Sequence, residues 1–156
     1  MPAAPRNVEA VSDVPGFAWD DRALVRMFAA LDEHPLAARA PVGTIALAFL
    51  DNRASAALHR DFFADPAPTD VMTFPGEPDE DHAGDIAADI EIARDEASAA
   101  RWSPDEELTL YLVHGWLHLA GFRDDTPETI ADMRAAERDL LAHLRARNAL
   151  PSFTWP

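Results

Sequence analysis

The chain has 156 residues, 48% of them hydrophobic, which is enough for one domain with a buried core. It contains no cysteine, so disulfides and thiolate metal sites are excluded, and histidine and carboxylate remain as metal ligands. The formal net charge is −15, and a field of this sign repels nucleic acid phosphates at low salt.

The sequence also lacks the long apolar run of a membrane helix and the charged, then apolar, pattern of a signal peptide. We therefore expect a cytoplasmic protein with no membrane contact. Every side-chain cation other than histidine is an arginine, the residue best suited to planar, bidentate phosphate contacts. A biased genome composition explains the arginine usage more simply than selection for phosphate binding does.

The first half of the chain alternates candidate strands and helices. We predict a short edge strand over residues 7–11. Apolar residues at helical spacing predict an amphipathic helix over residues 20–33, and an apolar run with a β-branched start predicts a buried strand over residues 44–50. Asp51 is the predicted N-cap of a second helix, which the prolines after residue 63 bring to an end.

The next segment mixes turns, strands and a helix. We predict a turn and short strand over residues 68–75 and a solvated acidic loop over 77–82. Isoleucines on one parity predict a strand over residues 85–92, and a helix follows over 94–101. No internal repeat or long linker divides the chain, so we predict a single α+β domain over residues 1–156, with a small mixed sheet.

The most apolar helix pattern of the chain runs from residue 103 to residue 121 and has clear end signals. Ser103 is the predicted N-cap, Pro104 occupies the first helical position, and Glu106 completes a capping box. Gly121 supplies the left-handed residue that ends the helix. Apolar residues cover nearly every side, so we predict that this helix is buried at the centre of the domain.

Two histidines, His114 and His118, lie four residues apart in this helix. That spacing places both imidazoles on one face, where they can converge on a common point. An unpaired polar group in apolar surroundings costs about 1 to 3 kcal/mol, so both rings need partners, and a metal would satisfy them. Such a pair alone is more often two structural histidines, but the buried, capped helix around it favours a metal site.

A carboxylate follows the helix at a short offset. A turn at Gly121 can bring Asp124 back toward the two histidines, and Asp125 is the rival third ligand. Three nitrogen and oxygen ligands at about 2.0 to 2.2 Å, with a fourth position for water, are typical of a catalytic zinc site. We therefore predict one Zn²⁺ per chain, bound by His114, His118 and Asp124.

A closing helix is predicted over residues 126–147, beside the metal helix, because a threonine cap and a proline precede apolar residues at helical intervals. Glu137 lies in this helix. It is either a hydrogen-bond partner that orients a ligand histidine or an exposed helical glutamate, and the sequence leaves both interpretations open.

Three motifs resemble the YbeY family of metal-dependent endoribonucleases, which mature ribosomal RNA. They are His114-Gly115-x-Leu117-His118-Leu119-x-Gly121-Phe122, Pro68-Thr69-Asp70-Val71-x-Thr73-Phe74-Pro75 and Met133-x3-Glu137. The resemblance covers residues 47–144 and implies a zincin-like α+β fold with a zinc ion bound by three side chains. The family's Gly-Asp-Ile strand matches either residues 88–92 or residues 84–86.

The chain departs from the family pattern at two places. The pattern ends in a third histidine where this chain has Asp124, and it has an aspartate where this chain has Arg123; carboxylate is an acceptable zinc ligand. The arginine that the family places near the substrate phosphate aligns with Phe63. Arg60 is the candidate for that catalytic role, because cleavage builds negative charge that a metal and an arginine can stabilise.

The resemblance implies a zinc-dependent, single-strand-specific endoribonuclease that processes the 3′ end of small-subunit ribosomal RNA and acts in ribosome quality control. Its partners would be single-stranded or ribosomal RNA, the small ribosomal subunit and ribosomal proteins. His114 and His118 would be catalytic through the zinc ion, which lowers the pKa of bound water toward about 7 and polarises a phosphoryl oxygen.

Two other functional classes remain at this point. A zinc peptidase is one, because His-x3-His-x2-Gly-x2-Asp has metzincin spacing; Gly115 argues against it, since those peptidases place a glutamate there as general base. A non-catalytic ribosome-assembly factor is the other, favoured by the acidic composition and by the missing arginine at position 63. Such an acidic protein could dock on basic ribosomal proteins.

Overall fold

The computed structural model describes residues 4–156, so residues 1–3 of the predicted domain lie outside the described part. Its strands are β1 (Val8–Ser12), β2 (Ala18–Trp19), β3 (Thr44–Leu50), β4 (Val71–Pro75), β5 (His82–Asp89) and β6 (Phe153–Thr154). Four strands form a mixed sheet in the order β1-β3-β5-β4, in which only β4 runs antiparallel to its neighbour. A separate antiparallel ribbon joins β2 to β6.

Within residues 4–156, five α-helices accompany the sheets: α1 (Asp21–Asp32), α2 (Asn52–Phe63), α3 (Ile90–Ala100), α4 (Pro104–Leu119) and α5 (Pro127–Ala146). Short 3₁₀ helices occupy Pro35–Arg39 and Pro78–Glu80, the second inside the predicted acidic loop. The α+β class with a small mixed sheet is therefore confirmed. Among the described residues, no helix combines the length and the apolar character needed to cross a bilayer.

The boundary between β5 and α3 corrects the strand predicted over residues 85–92. The strand ends at Asp89, and α3 begins at Ile90. The Asp89 carboxylate accepts hydrogen bonds from the amides of Glu91 and Ile92, which makes it the N-cap of α3. The isoleucine spacing fitted a strand as well as the first turn of a buried helix, so the cap decided the outcome.

Helix α4 contributes several side chains to the core. Leu108, Leu112 and Trp116 are essentially inaccessible to solvent. The helix packs against α3 and α5 and against strands β4 and β5 of the sheet. Full burial of one such side chain stabilises a fold by about 1.5 to 3 kcal/mol, so these contacts contribute strongly to holding α4 in place.

The N-cap and the glycine end of α4 form as the sequence predicts, but the capping box does not. The Ser103 hydroxyl accepts a hydrogen bond from the Glu106 amide at 3.1 Å, which caps the first turn. The Glu106 carboxylate accepts a hydrogen bond from the Ser103 hydroxyl at 3.3 Å, not from the Ser103 amide. At the other end Gly121 adopts φ +99°, a left-handed conformation that glycine tolerates best. The Phe122 amide then reaches the Leu117 carbonyl at 2.9 Å, completing a Schellman motif that reverses the chain.

Gly115 marks the point where α4 crosses the sheet. A Cβ atom at this position would lie 2.7 Å from Cγ2 of Ile86, a buried residue of β5. A side chain at position 115 would force the buried Ile86 side chain, or the helix itself, to move. Close packing on Ile86 therefore favours glycine at the position after the first histidine.

A pair of imidazoles links the end of α1 to α5. His34 and His143 pack edge to face with ring centroids 4.9 Å apart. The Nδ1 atom of His34 accepts the Leu36 amide hydrogen at 3.1 Å, and Nε2–H of His143 donates to the Ala30 carbonyl at 2.7 Å. Burial and the neighbouring His143 lower the pKa of His34, and Asp139 opposes them only partly.

We expect the substitution His34→Asn to flatten the pH dependence of stability between about pH 7.5 and 5.5. Because the pKa of His34 is lower in the folded state than its unfolded value of about 6.5, its contribution is present above that value and is lost as the pH falls through the folded pKa. Asparagine keeps the cap and does not titrate. Urea unfolding at both pH values measures the free energy of unfolding of the variant and of the unmodified protein. If that free energy decreases equally in the two proteins as the pH is lowered, the prediction is contradicted.

Candidate metal centre

Helix α4 brings the two histidines of the site together. His114 and His118 lie one turn apart, with ring centroids separated by 4.6 Å and ring planes nearly perpendicular. Their Nε2 atoms face each other at 3.0 Å. Both rings are partly exposed, although most residues of the helix from position 107 onward are buried. The α4 backbone thus presents two nitrogen ligands to one point at the protein surface.

The reversal after α4 adds the third group. The Oδ2 atom of Asp124 lies 3.3 Å from Nε2 of His114 and 3.3 Å from Nε2 of His118. One ligand atom from each residue falls within 4.8 Å of the others, a grouping that could hold a metal ion. The Schellman turn at Gly121 makes this return possible, because a helix that continued would carry Asp124 away from the rings.

Asp125, the alternative third ligand, points to different partners. Its carboxylate pairs with Arg123 and accepts a hydrogen bond from the Thr129 hydroxyl at 3.2 Å. The hydrogen bond from Arg123 holds the pKa of Asp125 below its usual range. The structure therefore places Asp124, and not Asp125, with the two imidazoles.

Hydrogen bonds at the far side of each ring decide which nitrogen carries the proton. The Nδ1 atom of His114 lies 2.9 Å from the Glu137 carboxylate, and Nδ1 of His118 lies 3.1 Å from the Phe122 carbonyl. Neither oxygen can donate, since Glu137 is ionised, so each Nδ1 is the donor. In the neutral rings both Nε2 atoms then carry lone pairs directed at the same point, which is the arrangement that a metal ion requires.

Glu137 anchors this arrangement from α5. Its side chain is almost fully buried, and it accepts hydrogen bonds from His114 and Arg134. Burial opposes its ionisation, but those two hydrogen bonds outweigh burial and lower the pKa of Glu137. The structure excludes one of the two interpretations that the sequence left open: Glu137 is buried and bonded to His114, not an exposed helical residue.

The spacing of the three ligand atoms fits a zinc ion. Ligand atoms bound about 2.0 to 2.2 Å from a tetrahedral ion lie about 3.3 to 3.6 Å from one another. The observed separations are 3.0, 3.3 and 3.3 Å, so a small adjustment of the rings accommodates the ion. Two neutral imidazoles and one carboxylate would leave one positive charge on a bound divalent cation.

Two cavities open on either side of the group. One, of about 630 Å³, includes His114 and Asp124 in its wall; we call it the α5 cleft because Arg134, Arg138 and Arg145 of α5 also line it. The second cavity, of about 570 Å³, includes His118 together with residues of α2 and β4. The two histidines of the group therefore line different cavities.

The arginine that was predicted to be catalytic lies elsewhere. Arg60 is exposed on α2, pairs with Asp61 at 3.3 Å, and lines neither cavity, so its catalytic role stays a prediction. Sequence reasoning missed the arginines of α5. Their spacing of four and then seven residues places them on one helix face, and this was the available signal.

Comparison with known proteins assigns the family. A family model described as Endoribonuclease YbeY matches residues 10–145. The chain belongs to the Endoribonuclease YbeY family. This confirms the resemblance inferred from the three sequence motifs, and the zincin-like character that the resemblance implies stays a prediction.

Three relatives named Endoribonuclease YbeY illustrate the similarity. The protein of Chlamydia abortus is 38% identical over 114 residues, which are 67% of this chain and 71% of that protein. The Protochlamydia amoebophila protein is 38% identical over 62% of this chain and 67% of its own length. The protein of Mycolicibacterium paratuberculosis is 37% identical over 65% and 64%. Among the relatives compared, the matched share of the relative ranges from 50 to 74%.

A solved structure shares the fold. The solution structure of TM1509 from Thermotoga maritima superposes with a TM-score of 0.58 and covers 93% of this chain and 96% of that one. Sequence identity is 22%, so the likeness speaks for the fold alone.

Proposed function

We propose that this chain is a zinc-dependent endoribonuclease specific for single-stranded RNA. The observation that carries the proposal is the arrangement of His114, His118 and Asp124, whose ligand atoms lie within 4.8 Å of one another. Membership of a family named for endoribonuclease activity supports the reaction class. The site supports the cofactor, since its donor set is the nitrogen and carboxylate set that zinc accepts.

The residues at the site have two kinds of role, binding the metal ion and orienting its ligands. His114 and His118 would bind the ion through Nε2, and Asp124 through Oδ2. A bound zinc ion supplies a Lewis acid for the phosphoryl oxygen and lowers the pKa of water at the fourth position. Glu137 and the Phe122 carbonyl hold the two rings by their Nδ1–H groups, so the ligands do not need to reorganise when substrate arrives.

The shape of the site supports a preference for single strands. The His114 side chain is only 14% exposed and lies in the wall of the α5 cleft, so a phosphodiester must enter a recess to reach it. A flexible single strand can bend its backbone into such a recess, whereas a stiff duplex cannot. Single-stranded RNA is therefore the substrate class that the geometry favours.

The cellular role that we propose follows from the family. It is maturation of the 3′ end of small-subunit ribosomal RNA, with a part in ribosome quality control, in the cytoplasm. Ribosomal RNA, the small subunit and its proteins would be the partners. The net charge of −15 suits contact with basic ribosomal proteins, which would offset the repulsion between this acidic surface and RNA.

The proposal is tested by cleavage of a short single-stranded RNA with purified protein at controlled salt. We expect cleavage with zinc, none after a chelator, and recovery when zinc is added back. A duplex of the same sequence should be cut more slowly. Elemental analysis of the same preparation should find about one zinc ion per chain. Cleavage that persists without any metal would contradict the proposal.

The peptidase alternative is not favoured. Its mechanism needs a glutamate after the first histidine, and this chain has Gly115 there, packed against the buried Ile86 side chain. The non-catalytic assembly factor is not favoured either, since the two oriented imidazoles and Asp124 remain open to substrate. A peptide panel without turnover, measured beside the RNA assay, distinguishes these classes.

A further inference from the structure

The α5 cleft has an unusual charge for this protein. The chain carries only 13 basic residues against 28 acidic ones, yet three arginines meet in the wall of one cavity. Arg134 forms an ion pair with Glu137, and Arg145 forms one with Glu106 at 2.9 Å. Among residues 4–156, Arg138 has no ion-pair partner. It is therefore a guanidinium available to an anion beside His114 and Asp124.

The carboxylates of the same cavity are already engaged. Glu107 accepts a hydrogen bond from Trp102 at 2.7 Å, and Asp70 accepts one from the Val71 amide at 2.7 Å. Glu137 is bound to His114, and Asp124 belongs to the metal group. Without a metal the four carboxylates outnumber the three arginines by one. A bound divalent cation makes the net charge of the cavity lining positive, so the metal-bound cleft attracts anions.

The second cavity has the opposite character. It lies on the other side of the ligand histidines and is lined by His118, Phe63 and residues of β4, but by no arginine and no carboxylate. Val71 contributes to both cavities, so they adjoin across β4. An RNA strand that crosses the metal group would thus contact arginines on one side and an uncharged, partly aromatic wall on the other.

We infer that Arg138 binds the RNA phosphate next to the one that is cleaved. The RNA strand then runs from the α5 cleft across the metal group into the second cavity, where its bases contact Phe63. This inference rests on the proposed function. Guanidinium suits the task, because its planar donors match two phosphate oxygens.

The test measures binding rather than cleavage. The probe is a 2′-O-methyl single-stranded oligoribonucleotide of about ten nucleotides, recovered intact after fluorescence anisotropy with zinc-loaded protein. We expect Arg138→Ala to weaken binding about tenfold at low salt and to reduce the slope of log K against log salt by about 0.7, the value for one phosphate contact in a single strand. Arg138→Lys should keep the slope and recover part of the affinity.

Arg22→Ala is the matched control. Arg22 is exposed on α1, lines neither cavity, and its loss changes the net charge by the same amount. The affinity of this variant for the probe, and the slope of log K against log salt, should equal those of the unmodified protein. If Arg138→Ala also matches the unmodified protein in affinity and slope, the inference is overturned.

The two proposals fail in different ways. Protein that binds the probe through Arg138 but does not cut RNA would support the phosphate contact and contradict the nuclease. Protein that cuts RNA in a zinc-dependent manner, but binds the probe equally well after Arg138→Ala, would support the nuclease and overturn the phosphate contact. Thermal unfolding of each variant checks that the exposed substitution leaves the fold intact.

Discussion

The substitution His118→Ala is expected to remove both zinc and RNA cleavage. Loss of a residue that only orients a ligand lowers metal affinity by about 10 to 100-fold, so loss of a ligand itself should exceed about 100-fold. Cleavage should fall with it, because two protein ligands hold the ion less firmly than three and fix its geometry less well. Elemental analysis after dialysis and an RNA cleavage assay measure the two effects.

The control for this experiment is His82→Ala. His82 pairs with Asp85 at 3.1 Å and lies outside the metal group, so its removal should leave zinc content and cleavage unchanged. Circular dichroism of both variants separates loss of the ion from loss of the fold. If His118→Ala keeps its zinc and still cuts RNA, the assignment of the site is wrong.

A second large effect is expected at Glu137. Replacement by glutamine keeps the shape of the side chain but removes the charge that fixes the Nδ1 proton of His114 and pairs with Arg134. We expect zinc affinity to fall by about 10 to 100-fold, and cleavage to recover at higher zinc concentration. A zinc titration followed by RNA cleavage measures both. An effect on cleavage that excess zinc cannot restore would contradict an orienting role.

Glu128→Gln is the matched control on the same helix. Glu128 is exposed in the first turn of α5, outside the metal group and both cavities, so its replacement should leave zinc affinity unchanged.

The low pKa of Glu137 keeps it charged at neutral pH. Because its folded pKa lies below the unfolded value, Glu137 contributes stability above about pH 4.3 that is lost as the pH falls through the folded pKa.

The carboxylate at position 124 gives the site its own electrostatic character. Three neutral imidazoles would leave the full double charge on a divalent ion, whereas Asp124 lowers the net charge of the site by one. A bound divalent ion would then withdraw less charge from a water ligand, and the phosphate contact proposed for Arg138 would gain importance in offsetting the negative charge of the transition state.

The sequence predicted those parts of the molecule that depend on local interactions. The ends of α4 follow from Ser103, Pro104 and Gly121, whose preferences act within one turn of the helix. The convergence of His114 and His118 follows equally from helix geometry. The start of α3 was mispredicted because Ile90 and Ile92 suit a strand and a buried helical turn alike, and the competing signal was the cap at Asp89.

Contacts between elements distant in the chain were decided only by tertiary structure. Asp124 joins the histidines because the chain turns back after Gly121 while Arg123 holds Asp125 aside. Glu137 reaches His114, and Arg138 lines the same cleft, because α5 packs against α4. Periodicity specifies which residues share a helix face, but the partner of that face depends on how the whole apolar core packs.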